Sequence, residues 1–423
     1  MSPLRLAGLS LYWFGTQAHW TAIMITLLPL QAERIGGSEF KGQTLGQIMA
    51  AGAFVSMAVC PLFGAWSDRV RTRWGRRLPF VVGGTLLNVL FLLAMAVLPD
   101  HPEMLTPYVL VFMGIQLTNN LATAPYSALI PDVVPPEQRG AASGWMGLMM
   151  MLGNFVGGLT GLLLPLLGGV SGAYVAIAVL LTLSMLGTVL TVKEPAPPEL
   201  PPFALGAFLK DLTAPFQSRD FSWVFWTRFL VMLGTYTVQS FLQYFMTDVV
   251  GQPFVLFGST VARDGASATS FFVLALLLGA ILSSLAAGNL SDRFGRKVVV
   301  YMSGAIQAAF VLGMLFMQDF QLAVLLGVVF GLGYGAYQAV DWALASDVLP
   351  SHDDHAKDMG VWHIALTLPQ VLAIPIGGVV LDHGQAWGKL HGHVNVGYSA
   401  LFAMAFVYFV LGTVLVSKVR GVR

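Results

Sequence analysis

The sequence predicts an all-α polytopic membrane protein, with twelve transmembrane helices arranged as two pseudo-symmetric six-helix bundles. Three observations predict it. The 423 residues are 56% hydrophobic and only 10% charged, with a mean hydropathy of +0.73, whereas soluble domains carry about 25% charged residues. Apolar stretches of roughly 20 residues, enough to cross a bilayer as a helix, recur along the whole chain. A short charged element also occurs twice, each time between two apolar stretches.

The spans fall near 7–30, 44–65, 79–99, 105–130, 141–168, 170–192, 221–246, 268–288, 298–317, 321–346, 358–381 and 397–417. The first apolar run is too long for a cleavable signal and no small-residue cleavage site follows it, so it is read as the first span. After the sixth span comes Lys193-Glu194-Pro195-Ala196-Pro197-Pro198-Glu199-Leu200-Pro201-Pro202. Proline at that density cannot continue a helix. The segment divides the chain into an N-terminal bundle, 1–192, a cytoplasmic linker, 193–220, and a C-terminal bundle, 221–423.

Charge sets the orientation. With both ends inside, seventeen Lys and Arg fall in cytoplasmic segments, four fall in outer loops, and Arg228 lies within a span. Lys and Arg accumulate on the cytoplasmic side, so the expectation is a multi-pass plasma-membrane protein with both termini cytoplasmic. Cys60 is the only cysteine, which excludes an intramolecular disulfide and a cysteine-based metal site.

The first charged element reads Gly64-Ala65-Trp66-Ser67-Asp68-Arg69, then Gly75-Arg76-Arg77; the second reads Gly288-Asn289-Leu290-Ser291-Asp292-Arg293-Phe294-Gly295-Arg296-Lys297. Gly64 and Gly288 are expected to let neighbouring helices approach closely. Asp68 and Asp292 are expected to pair with the following arginines or to reach a helix N-terminus, where a carboxylate is favoured. A second repeat, Ala128-Leu129-Ile130-Pro131-Asp132, matches Ala343-Leu344-Ala345-Ser346-Asp347. Together, Gly64, Asp68, Arg69, Arg76, Arg77, Asp132, Gly288, Asp292, Arg293, Arg296, Lys297 and Asp347 form a candidate cytoplasmic gate.

This element resembles the loop signature of the major facilitator superfamily, and the resemblance covers the whole chain. The longer first copy, Ser67 to Phe80, with Asn119-Asn120, Pro125 and Asp132, is similar to the glycoside–pentoside–hexuronide:cation symporters. It is most similar to the sucrose–proton symporters of plants and their bacterial relatives. That resemblance implies spans 1, 4, 7 and 10 around a central cavity. The chain departs from the group at Gln116, where sucrose symporters carry an aspartate, and at Ser127, where they carry an arginine. Span 2 also lacks the acidic residues of melibiose-type members.

Ionisable groups at membrane depth are costly and point to function. Arg228 in span 7 and Asp341 in span 10 lie at similar depth and are expected to form an ion pair, with Asp341 as the protonatable coupling residue. His19 in span 1 is a second coupling candidate. His363 lies in span 11. His383, His391 and His393 read as residues of a solvated outer loop. Neutral polar residues recur at helical spacing: Trp13, Gln17 and Trp20 on span 1; Gln116, Asn119, Asn120 and Thr123 on span 4; Tyr236, Gln239, Ser240 and Gln243 on span 7; Tyr334, Tyr337 and Gln338 on span 10. Buried amides need partners. Amides and phenols beside aromatic faces suit the hydroxyls and C–H faces of a sugar. Gly153, Gly157, Gly158 and Gly161 in span 5 have the spacing of a close helix contact.

The function expected is secondary active transport: proton-coupled symport of a sugar or glycoside by alternating access, each half rocking about a midplane site. The alternatives are an efflux antiporter for small amphipathic molecules and a non-transporting sensor or assembly protein on the same scaffold. An intramembrane enzyme would need a nucleophile, a base and a metal at one depth, and no such grouping occurs. The expected partners are a small-molecule substrate and the lipid bilayer, with no nucleic acid, no cofactor and a monomeric state.

Overall fold

The computed structural model describes residues 1–135, 138–194, 206, 214–348 and 355–420. Local chemistry explains the helix starts. α1 (Pro3–Thr21) opens with proline in its first turn and with the Ser2 hydroxyl accepting from Arg5 N. A π-helical turn, Ala22–Leu27, leads into α2 (Leu28–Arg69). In α2 the regular geometry is lost at Gly37 (φ 69°) and Phe40, so the first two predicted spans are one run broken by a glycine in the left-handed region.

α3 (Leu78–Val97), α4 (Leu105–Ser127), the short α5 (Leu129–Val133), α6 (Arg139–Gly158), α7 (Thr160–Leu167) and α8 (Gly169–Thr191) follow. The predicted fifth span is not straight. Ala141–Gly158 and Thr160–Leu167 meet at 56°. Gly157-Gly158 before the break and Pro165 after it weaken the helix on both sides.

In the second half, α9 (Arg219–Phe245) starts on Ser218, whose hydroxyl accepts from Phe221 N. A two-stranded antiparallel hairpin, β1 (Phe254–Leu256) and β2 (Ser259–Ala262), precedes α10 (Gly265–Phe294). α10 opens with a reciprocal capping box between Asp264 and Ser267, satisfying two donors that a helix start leaves open. α11 (Arg296–Met314), α12 (Phe320–Asp347), α13 (His355–His391) and α14 (Val396–Leu415) complete it. α13 runs on to His391, so His383 and His391 are helical rather than loop residues. The His391 ring stacks on Trp387 with centroids 4.3 Å apart, which extends the helix past the predicted end of the span.

Among the described residues, eight helices are long and apolar enough to cross a membrane, or nine with the bent pair. One of the eight, Pro3–Arg69, holds two spans joined at the Gly37 break. α4 and α9 are of crossing length and bring the number to twelve, their polar stripes making them less apolar.

The chain forms two compact units: Met1–Ile35 with Ala51–Phe203, and Gly36–Ala50 with Ala204–Arg423. The segment 36–50 therefore departs from a division at the linker. Its backbone packs on α13: a Cβ at Gly46 would lie 2.8 Å from Pro375 Cα.

In the first unit α1 packs on α6 and α8, and α3 packs on α4 and α8. The glycine spacing in span 5 does what it predicts. A Cβ at Gly153 would lie 2.4 Å from Phe14 O, and one at Gly157 2.6 Å from Ala18 O, so α6 touches the α1 backbone. Gly157→Ala is expected to destabilise the protein by about 1–3 kcal/mol through overpacking. Gly147→Ala, where a Cβ meets nothing described within 4 Å, should stabilise it by about 0.5–1 kcal/mol. Paired thermal-denaturation curves in detergent measure both.

In the second unit α10 packs on α12, and α9 on α13 and α14. The α10–α12 contact uses glycines at the same four-residue spacing. Cβ atoms at Gly331 and Gly335 would lie 2.0 Å from Leu276 O and 2.2 Å from Ala280 O.

Candidate functional site

Three polar groupings stand out, each inside one unit. The first surrounds the loop between α2 and α3. Thr72 closes a turn by donating its hydroxyl to Gly75 O (2.6 Å), and Gly75 has φ 107°, a conformation that favours glycine. The chain then enters α3 with Pro79 in the first turn, leaving backbone N–H groups to be satisfied.

Glu194 satisfies them. Its carboxylate accepts from Arg76 N (2.8 Å), Arg77 N (2.9 Å) and Leu78 N (2.6 Å). A Cβ at Gly75 would lie 2.4 Å from Glu194 Cδ, so glycine is required there twice over. The side chains of Arg76 and Arg77 converge on Asp132: Arg76 Nη2 lies 2.7 Å from Oδ1 and Arg77 Nε 3.0 Å from Oδ2. Arg77 also reaches Asp68, and its Nη1 donates to Ser67 Oγ at 2.6 Å. Arg69 instead turns back on its own helix, donating to Ala65 O.

Of the two partners expected for Asp68 it takes the arginine: Arg77 engages it, and the N-terminus of α3 is capped by Glu194 instead. The expectation for Gly64 needs correction. Among the described residues, a Cβ at Gly64 would meet no atom within 4 Å, so Gly64 makes no close helix contact; its carbonyl accepts from Ser67. In the second copy Arg296 Nη1 donates to Ser291 Oγ at 2.9 Å, repeating the Arg77–Ser67 bond. Lys297 Nζ donates to Val419 O, and Arg293 is exposed. The side chains of Gly288, Asp292, Asp347 and His363 lie outside the described residues, as does most of the linker.

The second grouping joins the stripes of α1 and α4. Trp20 Nε1 donates to Asn119 Oδ1 at 3.2 Å. An indole N–H can only donate, so this bond fixes the orientation of the amide and leaves the Asn119 NH2 as the group presented. Asn119 is 3% exposed, and its Nδ2 has no hydrogen-bond partner among the described residues. Asn120 Nδ2 donates to Ser56 Oγ and to Gln116 O. The Trp13 ring lies 5.4 Å from that of Tyr126. Trp13, Gln17 and Trp20 are half-buried, while Tyr12, Thr16 and His19 on the adjacent face are buried. His19 is edge-on to Trp20 at 4.6 Å, and neither of its ring nitrogens has a partner among the described residues.

The third grouping joins α9 to α12. Arg228 Nη1 lies 2.6 Å from Asp341 Oδ2, with only 5% and 2% of the two residues exposed. The predicted ion pair is therefore present and withdrawn from water. Tyr337 stands beside the carboxylate, and Tyr236 and Tyr334 stand near the guanidinium. Gln338 Nε2 donates to the Tyr334 hydroxyl at 3.2 Å. Gln243 is buried and Gln239 half-buried on α9.

Sequence reasoning missed Glu194, since a carboxylate bound to backbone N–H groups leaves no signature in side-chain pairing. It also missed a network in the first unit formed by Gln31, Asp100, Tyr108 and Tyr174. There Tyr174 donates to Gln31 Oε1 (2.7 Å), and both the Gln31 amide and the Tyr108 hydroxyl donate to Asp100 Oδ1. Arg34 pairs with the other Asp100 oxygen at 2.8 Å. The i, i+3 pair of Gln31 and Arg34 was the available signal.

A family model described as MFS/sugar transport protein matches residues 40–417. The chain is 27% identical over 172 residues to the sucrose transport protein SUC4 of Arabidopsis thaliana, covering 37% of this chain and 32% of that one. It is 32% identical over 174 residues to the general alpha-glucoside permease of Schizosaccharomyces pombe, covering 38% and 31%. The matched segment thus spans about a third of the length of each of these relatives.

Among solved structures, the nucleoside transporter NupG superposes with a TM-score of 0.73 at 15% identity, covering 99% of this chain and 100% of that one. A bacterial homolog of the human lysosomal transporter Spinster gives 0.70 at 16% identity, covering 99% and 95%. Those identities speak for the fold alone. With the family model running through both halves, the chain is an integral multi-pass membrane protein that belongs to the MFS/sugar transport protein family, a family of transporters and not of enzymes.

Proposed function

We propose that this protein is a cation-coupled symporter for a sugar or glycoside, driven by protons and working by alternating access. The observation that carries the reading is the Trp20–Asn119 bond, which holds an aromatic face beside an amide whose NH2 is left to donate. A sugar offers hydroxyl oxygens to such a donor and C–H faces to such a ring, and a small-ligand site of this kind needs a few fixed polar groups among aromatics. Trp13, Gln17, Gln116, Asn120, Tyr236, Gln239, Gln243, Tyr334, Tyr337 and Gln338 are assigned to substrate binding on the same grounds. The sucrose and alpha-glucoside names of the relatives agree with this class.

Asp341 is assigned the coupling role, with Arg228 as its partner and His19 as a second titratable group. Protonating Asp341 would release the guanidinium to other partners and so tie cation occupancy to conformation. The Arg76–Arg77–Asp132 cluster, with its second copy, acts as the cytoplasmic gate. The excess of Lys and Arg on one side supports cytoplasmic termini in a plasma membrane, with halves 1–192 and 221–423 joined by a cytoplasmic linker; the working unit is a monomer.

A counterflow screen of mono-, di- and trisaccharides in proteoliposomes tests the substrate class. At least one saccharide should exchange. Asn119→Leu should reduce that exchange by about tenfold or more, since losing a hydrogen bond to a buried polar partner costs about 1–3 kcal/mol. Exchange of amphipathic cations instead, with no saccharide exchanged, would replace this reading with the antiporter.

A further inference from the structure

Lys41 begins a helix for the second time. The geometry of α2 breaks at Gly37 and Phe40, so the N–H groups just after the break lack intrahelical acceptors. A carboxylate from another helix supplies one. Asp382, on α13, accepts from Gly42 N at 3.1 Å and from Gln43 N at 2.7 Å. It serves as a cap delivered in trans, at the helix end where negative charge is favoured.

Lys41 itself is buried, its side chain 4% exposed, with Nζ 2.9 Å and 2.7 Å from the two oxygens of Asp248. Its charge also sits 4.7 Å from the centroid of the Tyr244 ring, and the Tyr398 hydroxyl donates to Asp248 Oδ2. The backbones are pressed together. A Cβ at Gly42 would lie 2.8 Å from Gly378 O, and one at Gly378 2.1 Å from Gly42 O.

These contacts explain why Gly36–Ala50 groups with the second unit while Ala51 onward groups with the first. One helix is shared between two compact bodies. Such a helix cannot keep both allegiances through a cycle in which the bodies move, so one set of its contacts has to open. The set around Lys41 is polar and charged, and water can replace its partners, whereas apolar contacts offer no such exchange.

We infer that Lys41, Asp248 and Asp382 form a clasp that fastens residues 36–50 into the second unit, and that opening it is a step of the transport cycle. The three are positioning residues, acting through the placement of α2. The inference rests on the alternating-access reading, but its test needs no sugar.

Met49 lies within the fastened segment and is 2% exposed. In a Cys60→Ser background, Met49→Cys should react slowly with a membrane-impermeant maleimide added to intact cells. Lys41→Met, Asp248→Asn and Asp382→Asn should each raise that rate by about tenfold or more, because the first two break the ion pair of the buried Lys41 ammonium and the third weakens the cap on Gly42 N and Gln43 N. Lys41→Asp combined with Asp248→Lys should return the rate towards the parent value.

A role confined to folding would lower the yield of monodisperse protein without raising the labelling rate in the protein that folds. Labelling at the parent rate in all three single variants, or no recovery in the charge swap, overturns the clasp. A failure of the sugar screen with labelling as expected would overturn the substrate class and leave the clasp standing.

Discussion

Asp341→Asn is expected to abolish accumulation of substrate against its gradient while leaving exchange of substrate across the membrane. The asparagine resembles the protonated acid permanently. A carrier held in that state can load and unload substrate from both sides, but it cannot release the cation that makes uptake net. The variant also takes the carboxylate charge away from Arg228, which is 5% exposed, and removing one partner of a buried ion pair costs about 3–5 kcal/mol. Folding therefore has to be read separately from function. Arg228→Met combined with Asp341→Leu removes both charges, and an apolar pair in place of a buried ion pair is often neutral or stabilising; it should restore the thermal stability that Asp341→Asn loses without restoring uphill uptake. Asp341→Glu keeps a titratable acid and should retain part of the uptake. Gradient-driven uptake and counterflow on the same proteoliposomes make the comparison. Undiminished uphill uptake in Asp341→Asn removes Asp341 from coupling.

Asp132→Asn should have the second large effect. Asp132 is the common acceptor of Arg76 and Arg77, and hydrogen bonds to a charged group contribute about 1.5–3 kcal/mol each. Converting the carboxylate to an amide weakens both bonds, puts N–H groups opposite guanidinium donors and unbalances two arginines. A loss of about 3 kcal/mol in stability and of about tenfold or more in uptake rate is expected. Asp68→Asn should do less: the Asp68 side chain is 34% exposed, so solvent screens its pair with Arg77, and it lies 4.0 Å from Arg76 Nη1, which Asp132 holds more closely. Melting curves and initial uptake rates of the two variants check the order. A larger defect in Asp68→Asn than in Asp132→Asn would show that Asp132 is not the hub.

The parts of the fold and site that could be read in the sequence are those that repeat or recur at helical spacing. The Ser67-Asp68-Arg69 and Ser291-Asp292-Arg293 copies indicated two like halves. The spacing of Gly153 and Gly157 foretold a close helix contact, though not that α1 makes it, and the similar depth of Arg228 and Asp341 on two helices expected to line the cavity foretold their ion pair. The parts that could not be read depend on long-range geometry. Glu194 meets the backbone of residues more than a hundred positions earlier in the chain, and backbone donors are the same for every residue type. The allegiance of Gly36–Ala50 depends on Asp382, a residue that sequence spacing treats as the edge of a loop. The break at Leu159 had a local cause in Gly157-Gly158 and Pro165, but an unbroken apolar run concealed it. Gly64 failed for the opposite reason: a duplicated glycine suggested close packing, and the space beside it is open among the described residues.

The central claim is that sugar movement and cation movement are one process. Solute-stimulated proton uptake in proteoliposomes tests it most directly, with external pH recorded while a saccharide that passes the counterflow screen is added under no imposed gradient. The expected result is alkalinisation of the medium that saturates with the saccharide, is abolished by a protonophore and is absent in Asp341→Asn. Saccharide entry with no proton movement, at a rate unchanged by adding or removing sodium, would contradict the claim.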